Sequence, residues 1–200
     1  MDPRMSANRR MVIGLIAGVA LATAACSGGN KSIPSSTTNR STVGTTSTSR
    51  ANAVSACTFS QLAVTAGQGQ AATGHSSDVL VFKNVSTTSC KLSGYPGVAG
   101  LDSAGQQVVQ AVRTLNGFLG GVPAGSNPPE VNLAPSQSAS SVAEGTGMPI
   151  GTESTCPGYL SLLVTPPNTR QSVTIDKTLP GCSPIEIHPV VPGTSGSVQS

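Results

Sequence analysis

Hydrophobic and polar positions divide this chain into an apolar start, a long polar stretch, and a region of short apolar runs separated by turn residues. In the last region the strongest run is Val79-Leu80-Val81-Phe82, apolar on both faces, which predicts a central strand because a half-exposed strand would alternate. Phe59 to Ala66, Val98 to Leu101, Val108 to Val112 and Tyr159 to Thr165 read as further strands. Glu130 to Leu133, Ser172 to Ile175 and Ile185 to His188 alternate, and Ala139 to Glu144 is a weaker strand. The breaks between them carry glycine, proline and small polar residues: Gly67 to about Ser77, Asp102 to Gly105, Gly117 to Pro129 and Gly145 to Pro157. Eight to ten short strands at roughly ten-residue spacing, with no convincing helix, predict an all-β sandwich.

The first 55 residues follow another pattern. Arg9-Arg10 and the apolar run from Met11 to Ala25 have the charged start, short hydrophobic centre and small-residue end of a signal peptide over residues 1–25. The run falls short of the ~20 apolar residues that a spanning helix needs. Its end, Thr23-Ala24-Ala25-Cys26, resembles the lipobox of bacterial lipoproteins, although Thr23 stands where an aliphatic residue is usual. The resemblance implies lipidation of Cys26, with a palmitate-type acyl anchor on the extracytoplasmic face of the cell membrane. Residues 26–55 are dominated by serine and threonine, predicting a disordered tether that cannot repay the entropy of ordering. Thr37, Thr38, Thr45, Thr46 and Thr48 are candidates for O-glycosylation. The domain is expected over 56–190, with a disordered tail at 191–200.

Composition agrees with a strand-rich exported domain. Charged residues make up 10% and aromatics 2%, while Gly (23) and Pro (15) are abundant. The net charge of +3 includes Arg4, Arg9 and Arg10 of the signal, and no clustered basic face remains, so no nucleic-acid partner is expected. Cys57, Cys90, Cys156 and Cys182 read as a disulfide framework. Three pairings are open. The simplest joins Cys57 to Cys90 and Cys156 to Cys182, closing loops that would each contribute about 3 to 4 kcal/mol in the chain-entropy model. Structural zinc is disfavoured because no C-x-x-C occurs.

At this point the residues carry a resemblance. Cys57, Gly74-His75, Phe82-Lys83-Asn84, the run Thr88-Ser89-Cys90-Lys91-Leu92-Ser93-Gly94-Tyr95-Pro96-Gly97, Leu133-Ala134-Pro135, Cys156, Pro166-Pro167 and Cys182 follow one another in order. The set is similar to a domain of unknown function found in secreted and lipid-anchored proteins of actinobacteria, and covers about residues 56–189. It implies an immunoglobulin-like β-sandwich and no reaction. The Gly/Pro-rich insertion from Gly117 to Pro129 departs from that pattern and is a candidate recognition loop, with Gly117, Phe118 and Asn127 as its candidate contacts.

Candidate chemistry is sparse. His75-Ser76-Ser77-Asp78 has the residue types of a hydrolytic triad, but neighbours in sequence rarely attain triad geometry, so it reads as a polar turn before the central strand. Glu186 and His188 share one strand face and could hold a metal weakly, although exposed strand polarity accounts for them. Asp102, Glu130, Glu144 and Glu153 fall in separate loops or strand ends and form no assignable pair. Tyr95 is expected to be structural, its ring buried and its hydroxyl closed on a backbone group. No catalytic residue, metal or cofactor is expected. The chain therefore reads as a non-enzymatic envelope lipoprotein, an interaction or structural module for a protein, glycan or lipid partner. The alternative is a carrier of a small apolar or lipid ligand.

Overall fold

The computed structural model describes residues 53–149, 151–152 and 154–198. The expected signal, Cys26 and the tether up to residue 52 lie outside the described residues, as does Glu153. After a single 3-10 turn at Phe59–Gln61, the strands are β1 (Leu62–Ala66), β2 (Gln70–Ala72), β3 (His75–Asn84), β4 (Cys90–Ser93), β5 (Gly97–Leu101), β6 (Gln107–Gln110) and β7 (Val112–Arg113). They continue as β8 (Glu130–Leu133), β9 (Ser138–Thr146), β10 (Gly158–Tyr159), β11 (Ser161–Thr165), β12 (Val173–Ile175), β13 (Leu179–Pro180), β14 (Glu186–Ile187) and β15 (Val191–Pro192). Among the described residues no helix is long and apolar enough to cross a membrane.

A seven-stranded sheet, ordered β1-β3-β9-β14-β7 with β2 and β15 beside β3 and β9, packs against a four-stranded sheet ordered β12-β11-β5-β6. Two ribbons, β4–β8 and β10–β13, complete the all-β sandwich. Leu80, Phe82, Ala143 and Ile187 of the large sheet meet Val98, Leu162, Val164 and Ile175 of the small one in a single core. Both disulfides follow the simplest pairing, Cys57 with Cys90 and Cys156 with Cys182. Just before Cys57, the Ser55 carbonyl accepts the Lys91 N–H, and the Cys57 N–H reaches the Lys91 carbonyl, each at 2.9 Å.

The run Val79–Phe82 is central, as its two apolar faces predict, with β1 on one side and β9 on the other. Four expectations need correction. Residues 67–77 are not one loop: β2 pairs with the start of β3 through a tight turn in which Thr73 (φ 50) and Gly74 (φ 78) adopt the left-handed backbone of a hairpin bend. Ala139 to Glu144 is a strand, as expected, but a longer and more central one: it is part of β9, which pairs with β3 over nine residue pairs and is buried over most of its length. The chain after residue 190 is not a loose tail. Val191 pairs with Ser140, the Gly193 N–H bonds the Ser138 carbonyl at 3.0 Å, and the Gly196 N–H bonds Ser140 Oγ at 2.9 Å. Tyr95, finally, is half-buried beside a surface cavity, and its hydroxyl makes no hydrogen bond among the described residues. The tyrosine of the core is Tyr159, 7% exposed, whose ring lies where a Cβ on Gly100 would approach to 2.6 Å.

Candidate functional site

Alternation places Leu80 and Phe82 toward the small sheet and His75, Ser77, Val79 and Val81 on the opposite, outer face. Register then assembles a polar cluster there. Glu144 of β9 stands opposite Ser77 on one side and Glu186 of β14 on the other. His188, two residues beyond Glu186 and so on the same face, continues the ladder through its N–H to the Val142 carbonyl at 3.0 Å. Glu144 is 3% exposed and His188 fully buried.

The cover over this face is the chain that leaves β7. Thr114 bonds Ile187 through its N–H at 3.1 Å, and the chain then doubles back, Val122 N–H to Leu115 carbonyl at 2.9 Å and Gly117 N–H to Gly120 carbonyl at 3.1 Å. The bend points two backbone donors at Glu144: Phe118 N–H to Oε1 and Leu119 N–H to Oε2, both at 2.7 Å. A buried carboxylate is costly to desolvate, and two charge-assisted hydrogen bonds, one to each oxygen, offset that cost. Gly117 permits the approach, since a Cβ there would collide with Glu144 Oε1 and come within 2.7 Å of His188 Nε2.

The imidazole is held at one end only. His188 Nδ1 lies 3.1 Å from Thr114 Oγ1 and 3.3 Å from the Thr114 carbonyl, and Thr114 Oγ1 donates to Glu186 Oε2 at 3.3 Å. His188 Nε2 is buried without a hydrogen-bond partner among the described residues, 3.8 Å from Glu144 Oε2. One donor atom from each of Glu144, Glu186 and His188 lies within 4.8 Å of the others, so among the described residues these three could hold a metal.

The cluster borders a cavity of about 300 Å³, with Phe118 and His75 on its lining and their rings stacked at 4.5 Å. His75 also lines a wider, open groove of about 980 Å³ between the β2–β3 hairpin and the loop after β9. Met148, Cys156, Leu179 and Pro180 line that groove. The Cys156–Cys182 bond fixes its wall, aided by the Cys182 N–H on the Thr146 carbonyl at 3.0 Å.

Of the residues expected at a recognition loop, Gly117 and Phe118 reach this region, whereas Asn127 is exposed and lines neither cavity. His75-Ser76-Ser77-Asp78 is strand rather than turn, so its side chains alternate between faces and make no triad. Asp78 is instead buried 3.7 Å from Lys177, and burial raises its pKa above the usual carboxylate value, with Lys177 opposing part of the rise. Glu186 and His188 do share a face, but exposed polarity does not describe them, because the 115–122 segment lies over that face. Glu144 was without a sequence partner because its neighbours come from cross-strand register. The available signal was a lone glutamate directly after the small-residue run Ser138-Ala139-Ser140-Ser141-Val142-Ala143.

No curated protein and no solved structure matches the chain. A family model matches the disulfide-framed sandwich from Cys57 through Val191, more than half of the chain. The chain therefore belongs to the family described as Domain of unknown function (DUF4232).

Proposed function

We propose that this chain is a cell-envelope lipoprotein whose sandwich is a non-enzymatic interaction module, and that it meets its partner at the groove beside His75. The signal-like start, the Cys26 motif and two disulfides support an exported, oxidising setting. The observation that carries the recognition reading is the groove of about 980 Å³ at one end of the sandwich. Its walls are loops and a hairpin held by a rigid scaffold, the usual placement of binding surfaces. Every residue of β2 is exposed, and Met148 and Phe118 are large apolar side chains more than half exposed nearby, at 53% and 55%. The interior favours surface recognition over a lipid carrier, since Phe82, Leu80, Leu92, Leu133 and Leu162 fill it and the larger cavities open outward.

The test is site-specific photo-crosslinking of the full chain in its own host. A photoreactive phenylalanine replaces Ala72 at the groove, or Val108 on β6 as the control. The reading expects a discrete adduct from position 72 and none from position 108. Identical adducts at both positions, or none at either, would discard the groove as the binding surface.

A further inference from the structure

We propose that Glu144, Glu186 and His188 bind one divalent transition-metal ion of the zinc type, beneath the 115–122 segment. The inference goes beyond the interaction reading and does not depend on what occupies the groove.

His188 carries the argument. The Thr114 carbonyl can only accept, so the tautomer that satisfies it has its proton on Nδ1, 3.3 Å away. That leaves a lone pair on Nε2. A ring nitrogen bonded to a backbone carbonyl while the other stays bare is the usual arrangement of a metal-ligating histidine. Among the described residues Nε2 is buried and without a partner, and Glu144 Oε2, 3.8 Å away, also presents a lone pair. Two electron-rich atoms facing each other call for a cation between them. The gap is too long for a hydrogen bond, yet shorter than two metal–ligand bonds of about 2.1 Å laid end to end, so an ion can bridge this pair, and Glu186, whose donor atom lies within 4.8 Å of the others, closes on it by side-chain rotation.

The carboxylates are arranged to match. Glu144 is fixed by one backbone N–H on each oxygen, which leaves each with a further lone pair. Glu186 takes the Thr114 hydroxyl on Oε2, so the residue that orients the imidazole also orients the second carboxylate. One imidazole and two carboxylates suit Zn²⁺ or a neighbouring first-row ion, whereas Ca²⁺ and Mg²⁺ prefer oxygen alone. Glu144 and Glu186 both line the cavity of about 300 Å³, from which water or a ligand oxygen could complete the coordination.

The experiment uses the full chain, stripped with a chelator and with any free thiol blocked by alkylation. Zn²⁺ is titrated in competition with a chromophoric chelator, and Co²⁺ is added separately to read its d–d absorption. The expected result is one ion per chain, a Co²⁺ spectrum without thiolate charge transfer, and a higher Tm with Zn²⁺. Glu186→Gln keeps an acceptor for Thr114 and lies at the cavity's edge. It is expected to leave the metal-free Tm within about 2 °C and to weaken Zn²⁺ binding at least about tenfold. His75→Gln, next to the site but outside the donor set, is expected to bind as the parent does. If the parent chain takes up neither ion, the 3.8 Å pair is an ion pair closed by a proton and the proposal falls. It falls equally if Glu186→Gln binds Zn²⁺ undiminished.

Discussion

The two faces of the β3–β9 pair are built from the same strands and closed in different ways. On the inner face, Leu80, Phe82, Ala139 and Ala143 belong to a core completed by side chains of the opposite sheet. On the outer face the apolar cluster is only Val79, Val81 and Val142, set among Ser77, Ser140, Glu144 and His188. Among the described residues no second sheet covers that face. Backbone does, laid close enough that a Cβ on Gly120 would come within 2.6 Å of Val142 and one on Gly196 would overlap it. A side-chain lid supplies contact area, whereas a backbone lid also supplies donors, here Phe118 and Leu119 to Glu144 and Gly196 to Ser140. The outer face can therefore enclose charge that the inner core could not tolerate.

Substitutions can separate the two modes of closure. Phe82→Ala removes the largest fully buried side chain from the inner core and should cost about 4 kcal/mol in denaturant unfolding. Gly117→Ala drives a methyl group into Glu144 and lifts the two donors from a buried carboxylate. A loss of about 2 to 3 kcal/mol is expected, with faster hydrogen exchange at the Phe118 and Leu119 amides. Unchanged exchange would show that the segment does not depend on this contact. Val142→Ala removes two buried carbons and should cost about 1.6 kcal/mol. If it matches Phe82→Ala, the outer face is a second core and the contrast is lost.

The smallest effect concerns Asp78, where the inner face reaches its charged end. Its folded pKa is raised, chiefly by burial. The folded chain therefore binds more protons than the unfolded one between the ordinary value of 3.8 and the raised value. Asp78's contribution is full below 3.8 and is lost as pH rises through the folded pKa. Asp78→Asn should flatten that part of the stability–pH curve, and a curve of unchanged slope would refute the assignment.

What the sequence reveals follows the same division. Val79–Phe82 was legible because large apolar side chains on both faces leave a clear pattern. The cysteine pairing was legible only as three open connectivities, of which the structure shows the simplest. β9 was legible only as a weaker strand, because a strand buried under backbone on one side needs small residues, and Ser138-Ala139-Ser140-Ser141 carries no alternation to detect. The tail was misjudged for the same reason: Gly193-Thr194-Ser195-Gly196 is polar and small whether it wanders or lies against a sheet. The Glu144–His188 proximity depends on register across two strands and on the fold of the 115–122 segment, neither of which linear spacing encodes.

The Cys57–Cys90 clip has a mechanical consequence. It closes covalently around β1, β2 and β3 and leaves the chain before residue 57 outside the closed loop. Tension arriving from that side passes through the sulfur bridge into β4. The three strands inside the loop are thus shunted out of the line of force, and stretching the termini cannot draw them out in series while the bridge is intact.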